Sequence, residues 1–596
     1  MIRPRLVGCC RTNAASGGEN PFQRPTGLTL TFTTRDCQVW FAGRDADYQI
    51  SADTLLIGQA YQFSPGYPRI GSDTTTGQAP PLGEDRCWGD YLLITQDDDK
   101  LRVYRSAMGR LPCYVVAIDG WTLFSSDIDL LEQACGLRFA PDWDAIAHHL
   151  CHPHLRVART CLTGVTELFG GQALTIGPTG DTIASEWTPW PHRGTRPATL
   201  GNEDLADRIR SVTLQTVGRL AEPYGNVVLG VSGGLDSSIV AAALINAGIH
   251  VTLVTIASRD PRGDERHYAR ILAKGLGLPL IERDEDIDLI DPFVSQSTHL
   301  PRPIGRSFSQ STDALLSAVA RQEKADCHFN GAGGDNVFCY LQSAAPVADL
   351  LKRGDLFHAL RCASDIGKLT GAGMWKALRL GARRTFFRSP SYRWPVEPHY
   401  LGPETVTRSR HIASHPWLKA PPGAMPGTAS HIAAILAIEN HLEGFARELT
   451  LPVISPLVAR PMVEAAIDIP AWRWCAGGQN RVVARAAFAD MLPAEIIERR
   501  SKGTPDGVAA AVFERHHRQI GAFLCEGLLA SNAMIDREAI ASACATDGPV
   551  RGYDYIRLLS LCDVEAWARG IDSRARNRSG LKRTMPRLQQ LAPGGV

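Results

Sequence analysis

Residues 231–238 read Val-Ser-Gly-Gly-Leu-Asp-Ser-Ser and lie between two apolar runs, 226–231 and 239–245. A buried strand that turns through paired glycines into a helix opening with Asp236, Ser237 and Ser238 aims backbone N–H groups and hydroxyls at one point. The positive end of the helix dipole lies there too, so the point suits a pyrophosphate. Gly233 and Gly234 let the main chain approach phosphate oxygens, and Asp236 offers a hard oxygen to Mg²⁺. The Gly-Lys-Ser/Thr ending of a Walker loop is missing, so P-loop chemistry is not implied. An ordinary strand-to-helix turn is the competing reading of so short a string.

The elements that must position this loop come from a second half with strands expected at about 226–231, 251–256 and 326–330, separated by helical patterns. That alternation is the signature of a parallel α/β sheet. Asn330-Gly-Ala-Gly-Gly-Asp-Asn336 follows the apolar end of the third strand. Its glycines and carboxylate therefore emerge at the carboxyl edge of the sheet, where open α/β sheets bind ligands. The first half carries short β-type segments, Leu28–Phe32, Gln38–Phe41, Tyr91–Thr95, Arg102–Tyr104, Tyr114–Ala117 and Ala173–Ile176, broken by Gly, Pro and Asp. An antiparallel sandwich is expected over 1–190, the stretch Trp187–Pro197 has the Trp, Pro, Gly and Arg composition of a linker, set at 191–205, and the α/β domain is expected over 206–596.

With 596 residues and a formal net charge of +1, the chain is too long for one core and too evenly charged to name a polyanionic partner. The first ten residues lack a signal-peptide core and no segment is apolar for long enough to span a bilayer, so a cytoplasmic location is expected, with no nucleic acid or membrane as partner. Fifteen cysteines without a C-x-x-C pair read as reduced thiols. His148, His149, Cys151, His152 and His154 match no zinc spacing, and a helix end followed by a turn is the expectation there.

The string Ser232–Ser238 resembles the PP-loop of the ATP pyrophosphatases, and the two halves together resemble the asparagine synthetase superfamily over nearly the whole chain. In the first half, Trp88–Tyr91, Arg105–Tyr114 and Leu123–Asp127 are similar to three consecutive blocks of the glutamine amidotransferase domain. That family places a nucleophilic cysteine directly after the initiator methionine, and here Ile2 stands there; its Arg-Asp pair is Arg105-Ser106 in this chain. The resemblance therefore implies an α/β protein in which a degenerate, Ntn-type amidotransferase-like β-sandwich serves as scaffold for a parallel-sheet ATP pyrophosphatase domain. Cys9 and Cys10 read as buried strand residues.

The same resemblance implies ATP as substrate, with contacts from Val231, Ser232, Gly233, Gly234, Asp236, Ser237 and Ser238, from Thr255 on the second strand, and from Asn330, Gly331 and Gly333. Asp236 and Asp335 would hold Mg²⁺. Asp264-Glu265 and Tyr268-Ala269 are similar to a block near the nucleotide. Ser455-Pro456, Gly478–Ala486 and Leu492-Pro493 resemble the family's last helices, which end in a lysine that reaches the reaction centre, here Lys502. A fixed ammonium there would stabilise charge that grows in the transition state.

Without a glutaminase thiol the attacking amine is expected to belong to the substrate. The Gly-x-Asn-Arg-x-x-x-Arg-Ala block and the Gly-Gly-Asp-Asn of 333–336 resemble lasso peptide macrocyclases. The implied reaction is adenylation of an Asp or Glu side chain of a precursor peptide and closure by its α-amino group, with a leader peptidase and a leader-recognition protein as partners. An asparagine or β-lactam synthetase, or a scaffold that has lost its chemistry, are the alternatives. Ala332 stands where those synthetases carry Glu or Tyr and has no acid–base capacity, so either the amine arrives neutral, its unperturbed pKa being only about 8, or another group deprotonates it, with Glu439, His441 and Glu443 as candidate bases. The region 345–425, basic with interleaved Trp375, Phe386, Phe387, Tyr392 and Trp394, is a candidate wall for a large cleft.

Overall fold

The short alternating runs of the first half pair into two antiparallel sheets. In the computed structural model, which describes residues 3–12, 22–34, 36–63, 86–194, 201–258, 263–305, 307–500, 506–545, 554–576 and 588–589, one sheet runs in the order Thr166–Glu167, Tyr114–Ile118, Trp121–Ser125, Arg5–Arg11, Cys37–Ala42, Thr29–Thr33. The other runs Thr182–Ser185, Gln172–Ile176, Lys100–Arg105, Cys87–Asp97, Thr54–Gln62, Tyr48–Ile50. Period-two alternation turns Leu6, Val39, Val115 and Phe124 of the first sheet toward Leu55, Leu92, Val103 and Leu174 of the second, and they form one core. This is the sandwich expected from the sequence. Cys9 and Cys10 are buried on opposite faces of the strand Arg5–Arg11.

The outer face of the first sheet is not left to solvent. Val7, Cys9, Tyr114 and Leu123 pack with helices Ile128–Cys135, Trp143–Cys151 and the late helix Asp554–Arg576, whose Trp567 is fully buried. The apolar core thus runs across the boundary between the halves.

In the second half five strands form a wholly parallel sheet in the order Leu280–Asp284, His250–Ala257, Asn226–Gly230, Cys327–Phe329, Val453–Ile454. In chain order that is third, second, first, fourth, fifth. The order reverses between Asn226–Gly230 and Cys327–Phe329, and the crevice beyond the carboxyl ends of two such strands is where the backbone diverges and a ligand fits. The apolar helix Leu235–Asn246, buried on nearly every side, follows the first strand.

Two expectations change here. The stretch 191–205 is not all linker: helix Asn202–Ala221 begins within it, its Gly201 amide donating to Asp204 Oδ2 at 3.1 Å. Just before it, Trp187 and Trp190 are buried, their indole N–H groups donating to Glu464 Oε1 at 2.8 Å and the Trp417 carbonyl at 2.9 Å. Pro and Gly suggested a tether, but the tryptophans fasten it to the second half. Among the described residues no helix is long and apolar enough to cross a membrane.

The halves also meet at a buried ion cluster. Glu167, with no exposed surface, accepts from Arg105 Nη1 at 2.8 Å, from Arg156 Nε and Nη2 at 2.9 and 2.8 Å, and pairs with Arg302 of the second half at 2.5 Å. Arg156 in turn pairs with Glu443 at 2.7 Å. Burial opposes the charge on Glu167, yet the three guanidinium groups outweigh it and hold its carboxyl well below the usual range. Replacing Glu167 by Gln leaves Arg105, Arg156 and Arg302 buried, with Glu443 as the one carboxylate among the described residues paired with Arg156 and Arg302. A loss of about 3–5 kcal/mol is expected, seen as a lower urea midpoint and an earlier thermal transition.

Candidate functional site

Both glycine-rich loops leave the sheet at the point where its order reverses. After Asn226–Gly230, the Val231 amide still bonds to the Val254 carbonyl at 2.8 Å, and the chain then turns through Gly233, whose φ of +61° lies in the left-handed region. A Cβ on Gly233 would fall 2.3 Å from Tyr268 Cβ, so both conformation and space require glycine. Gly234 precedes the helix, and the hydroxyl of Ser238 turns back to its carbonyl at 2.8 Å.

The second loop crosses directly over the opening of this helix. A Cβ on Gly331 would lie 2.5 Å from the Ser237 nitrogen, and one on Gly334 would lie 2.3 Å from Asp236 Cγ. That approach brings Asp335 beside Asp236. A single atom, Arg481 Nη1, donates to Asp236 Oδ1 and Oδ2 at 2.9 and 3.1 Å and to Asp335 Oδ1 at 2.5 Å. Two carboxylates that converge on one cationic atom form a hard-oxygen donor set that fits Mg²⁺.

A cavity of about 380 Å³ opens over the crossing, within the roughly 300–1,000 Å³ of small-molecule sites. Val231, Ser232, Gly234, Asp236, Ser237 and Gly331 form its polar floor; Val254, Ile256, Leu316 and Ile496 form an apolar slot; Arg481, Arg485 and Arg499 close it with positive charge. Arg499 donates to the Ser232 carbonyl at 2.8 Å and to Glu265 Oε1 at 2.5 Å, its guanidinium 3.9 Å over the Tyr268 ring. The block containing Glu265 and Tyr268 therefore reaches the loop through this arginine. Burial and the neighbouring Arg481 pull the Arg485 guanidinium down to about 10, which leaves it charged at neutral pH.

A second cavity, of about 470 Å³, lies on the other side of the Asn330 loop. It is lined by His154, Asn330, Ala332, Asn336, Ala437, Ile438, His441, Phe445 and Arg447.

The candidate residues divide accordingly. Val231, Ser232, Gly234, Asp236, Ser237 and Gly331 meet at the first cavity, with Asp335 beside it through Arg481. Thr255 does not line it: alternation along the strand turns Val254 and Ile256 to the slot and leaves Thr255 buried on the other side. Ser238 caps its own helix, Gly233 packs on Tyr268, and Gly333, at φ +81°, packs on Val458. Asn330 faces the second cavity, its Oδ1 accepting from the Ala332 amide at 2.9 Å.

Of the three candidate bases, His441 lines the second cavity, and Glu439 and Glu443 line neither of the two. Glu443 is engaged by Arg156, and Glu439 lies in the same ion cluster, where burial pushes its carboxyl up against the pull of Arg156 and Arg105. Lys502 lies outside the described residues. The helix Trp143–Cys151 ends in the expected turn, with His148 stacked on His152 at 4.5 Å. Trp375, Phe386 and Phe387 are exposed on the outer surface and line neither cavity, while Trp394 donates to the Pro153 carbonyl at 3.2 Å.

Sequence reasoning missed Arg481, Arg499, Arg447 and His154 as site residues. Arg481 was visible within the Gly-x-Asn-Arg block, but its place depends on the two-residue strands Cys475–Ala476 and Gln479–Asn480 and on its own left-handed backbone, φ +53°. None of those has a periodic signal.

Residues 208–569, more than half of the chain, match the asparagine synthase family. The chain belongs to that family. Among curated proteins it is similar to the tRNA-specific 2-thiouridylase MnmA 1 of two strains of Bacteroides fragilis, 35% identical over 109 residues. That match covers 17% of this chain and 30% of those relatives, so the chain spans about a third of their length. Among solved structures it is similar to an NMN synthetase from Francisella tularensis, with TM-score 0.18 and 14% identity over 24% of this chain and 59% of that one. It is also similar to a glutamine phosphoribosylpyrophosphate amidotransferase from B. subtilis complexed with ADP and GMP, with TM-score 0.17 and 10% identity over 47% and 75%.

The crossing of the loops yields a direct test. A Gly331→Ala methyl must push against the Ser237 amide, and overpacking of this kind costs about 1–3 kcal/mol. Titration calorimetry is expected to show Mg-ATP binding weakened by roughly five- to hundred-fold, with the far-UV circular dichroism unchanged.

Proposed function

We propose that this member of the asparagine synthase family is an ATP-dependent amide ligase that forms AMP and pyrophosphate. It adenylates an Asp or Glu side-chain carboxylate of a precursor peptide and closes a macrolactam ring with the peptide's own N-terminal amine. The observation that carries the ligase reading is the pair of carboxylates, Asp236 and Asp335, held together at the crossing of two glycine-rich loops beneath a cavity with an apolar slot and three arginines.

The residues divide the work. The slot of Val254, Ile256 and Leu316 takes a flat apolar base, and the backbone and hydroxyls of 232–237 meet the phosphates at the helix N-terminus. Asp236 and Asp335 would hold Mg²⁺, which when bound neutralises phosphate charge. Arg481, released from the carboxylates, and Arg499 stabilise the departing pyrophosphate. The substrate carboxylate approaches the α-phosphorus from the side of Asn330 and the second cavity. One oxygen–phosphorus bond forms, pyrophosphate leaves, and the carboxylate becomes the acyl part of an adenylate whose carbonyl an amine attacks. Lys502 is the cation proposed for the charge that develops there.

Three features support a peptide amine over ammonia from glutamine. Cys9 and Cys10 are buried in a strand. Arg105 is engaged by Glu167 and the Leu168 carbonyl. Ala332 stands where, by the resemblance, the ammonia-using asparagine synthetases carry Glu. A leader peptidase that frees the amine and a leader-recognition protein are the partners this reading requires.

Incubation of the purified protein with Mg-ATP and synthetic peptides that begin in Gly and carry one Asp or Glu at varied positions tests the proposal. Pyrophosphate release and a product one water lighter are expected, both reduced more than about 100-fold in Asp236→Ala. Asparagine formed from aspartate and ammonia, with every peptide inert, would overturn the macrolactam reading.

A further inference from the structure

The second cavity is built by both halves of the chain. Asn330, Ala332 and Asn336 come from the glycine-rich loop, His441 and Arg447 from the segment after helix Pro426–Ile438, and His154 from the N-terminal half. His154 stands just beyond the end of helix Trp143–Cys151 with a left-handed backbone, φ +65°. Histidine, like asparagine and aspartate, adopts that conformation more readily than most residues with a side chain. Its ring lies against that of His441, centroids 4.6 Å apart and planes inclined by 31°. Two imidazoles this close repel if both are protonated, and a neutral imidazole is what a general base requires.

We infer that the His154–His441 pair is the general base of the amide-forming step, supplying the capacity that Ala332 lacks, and that the N-terminal half is therefore part of the active site. The inference rests on the ligase reading. The neutral imidazole nitrogen accepts a proton from the attacking amine, whose lone pair forms the C–N bond to the acyl carbon. The bond between that carbon and the phosphate oxygen breaks, its electron pair leaving on AMP, and the imidazolium passes its proton to water. The charged and titratable groups around the pair are His149 near His154, with Arg302 beside His149, Arg447 on the cavity wall, and Glu439, Glu443 and Arg156 around the turn that carries His441.

Two variants test it in the full-length protein with Mg-ATP and the same peptide panel. His154→Asn keeps a residue that tolerates the left-handed backbone, and His441→Gln keeps a polar side chain. Peptide-dependent ATP–pyrophosphate exchange reads adenylation, and the product one water lighter reads amide formation. Each variant is expected to lose amide formation by about 100-fold or more relative to exchange. The native rate rises as pH passes the titration of the imidazole, because the base must be neutral. In the variants that rise moves to higher pH, where the amine loses its proton to solvent. Hydroxylamine, already neutral at pH 7, restores turnover as a hydroxamate. Native rates of ring closure in both variants, or parallel losses of exchange and closure, would overturn the inference. Absence of exchange in the native protein with every peptide would sink the ligase reading itself and the inference with it.

Discussion

The contact on which the rest depends is the crossing of residues 331–334 over residues 236–237. Two strands adjacent in space but about a hundred residues apart in the chain, Asn226–Gly230 and Cys327–Phe329, pair in parallel. Their loops leave the same sheet edge side by side. Only glycine at 331 and 334 lets the second loop lie against the helix that the first one opens. A side chain at either position would separate Asp236 from Asp335, and with them the two donors that a single atom of Arg481 now bridges. Backbone proximity here sets the electrostatics, because two carboxylates so close repel unless a cation lies between them.

A second constraint acts from outside the sheet. The N-terminal sandwich does not hang from a tether. Its Arg110 donates to the Val453 carbonyl at 2.6 Å, at the end strand of the parallel sheet, and its Glu167 draws Arg302 into the shared ion cluster. Such a cluster costs desolvation and makes a weak claim to net stability, but its geometry specifies how the halves dock. The docking decides which residues face the second cavity. Glu439 and Glu443 are drawn toward the arginines, and His441, on the same turn, remains on the cavity wall opposite the loop of Ala332.

Much of the arrangement was legible before folding. The six strands read in the first half are all present, and so are the three read in the second. The apolar strand Thr54–Gln62 was passed over, and two segments of the second half have too little pattern to read. Val453–Ile454 has two residues, and Leu280–Asp284 ends in Glu-Arg-Asp, so neither reads as a buried strand. Thr255 illustrates a different limit. The strand was recognised, but which of its faces meets the ligand depends on the helices packed on each side. Trp187 and Trp190 illustrate a third: a Pro- and Gly-rich stretch resembles a linker until the partners of its indoles are known.

The sequence by itself determined the strand–glycine–helix loop at 231–238, its partner at 330–336 and membership in a family with that pairing, because these are contiguous strings whose local geometry follows from glycine, helix dipole and apolar run. It also placed Cys9 and Cys10 in a strand. Only the tertiary structure decided that Arg481 bridges the two aspartates, that Arg499 ties the Tyr268 helix to the first loop, and that His154 of one half stacks on His441 of the other. Those contacts join residues from about 150 to nearly 290 positions apart in the chain, and no local rule of spacing carries information over such distances until the sheet order and the docking of the halves have brought the segments together.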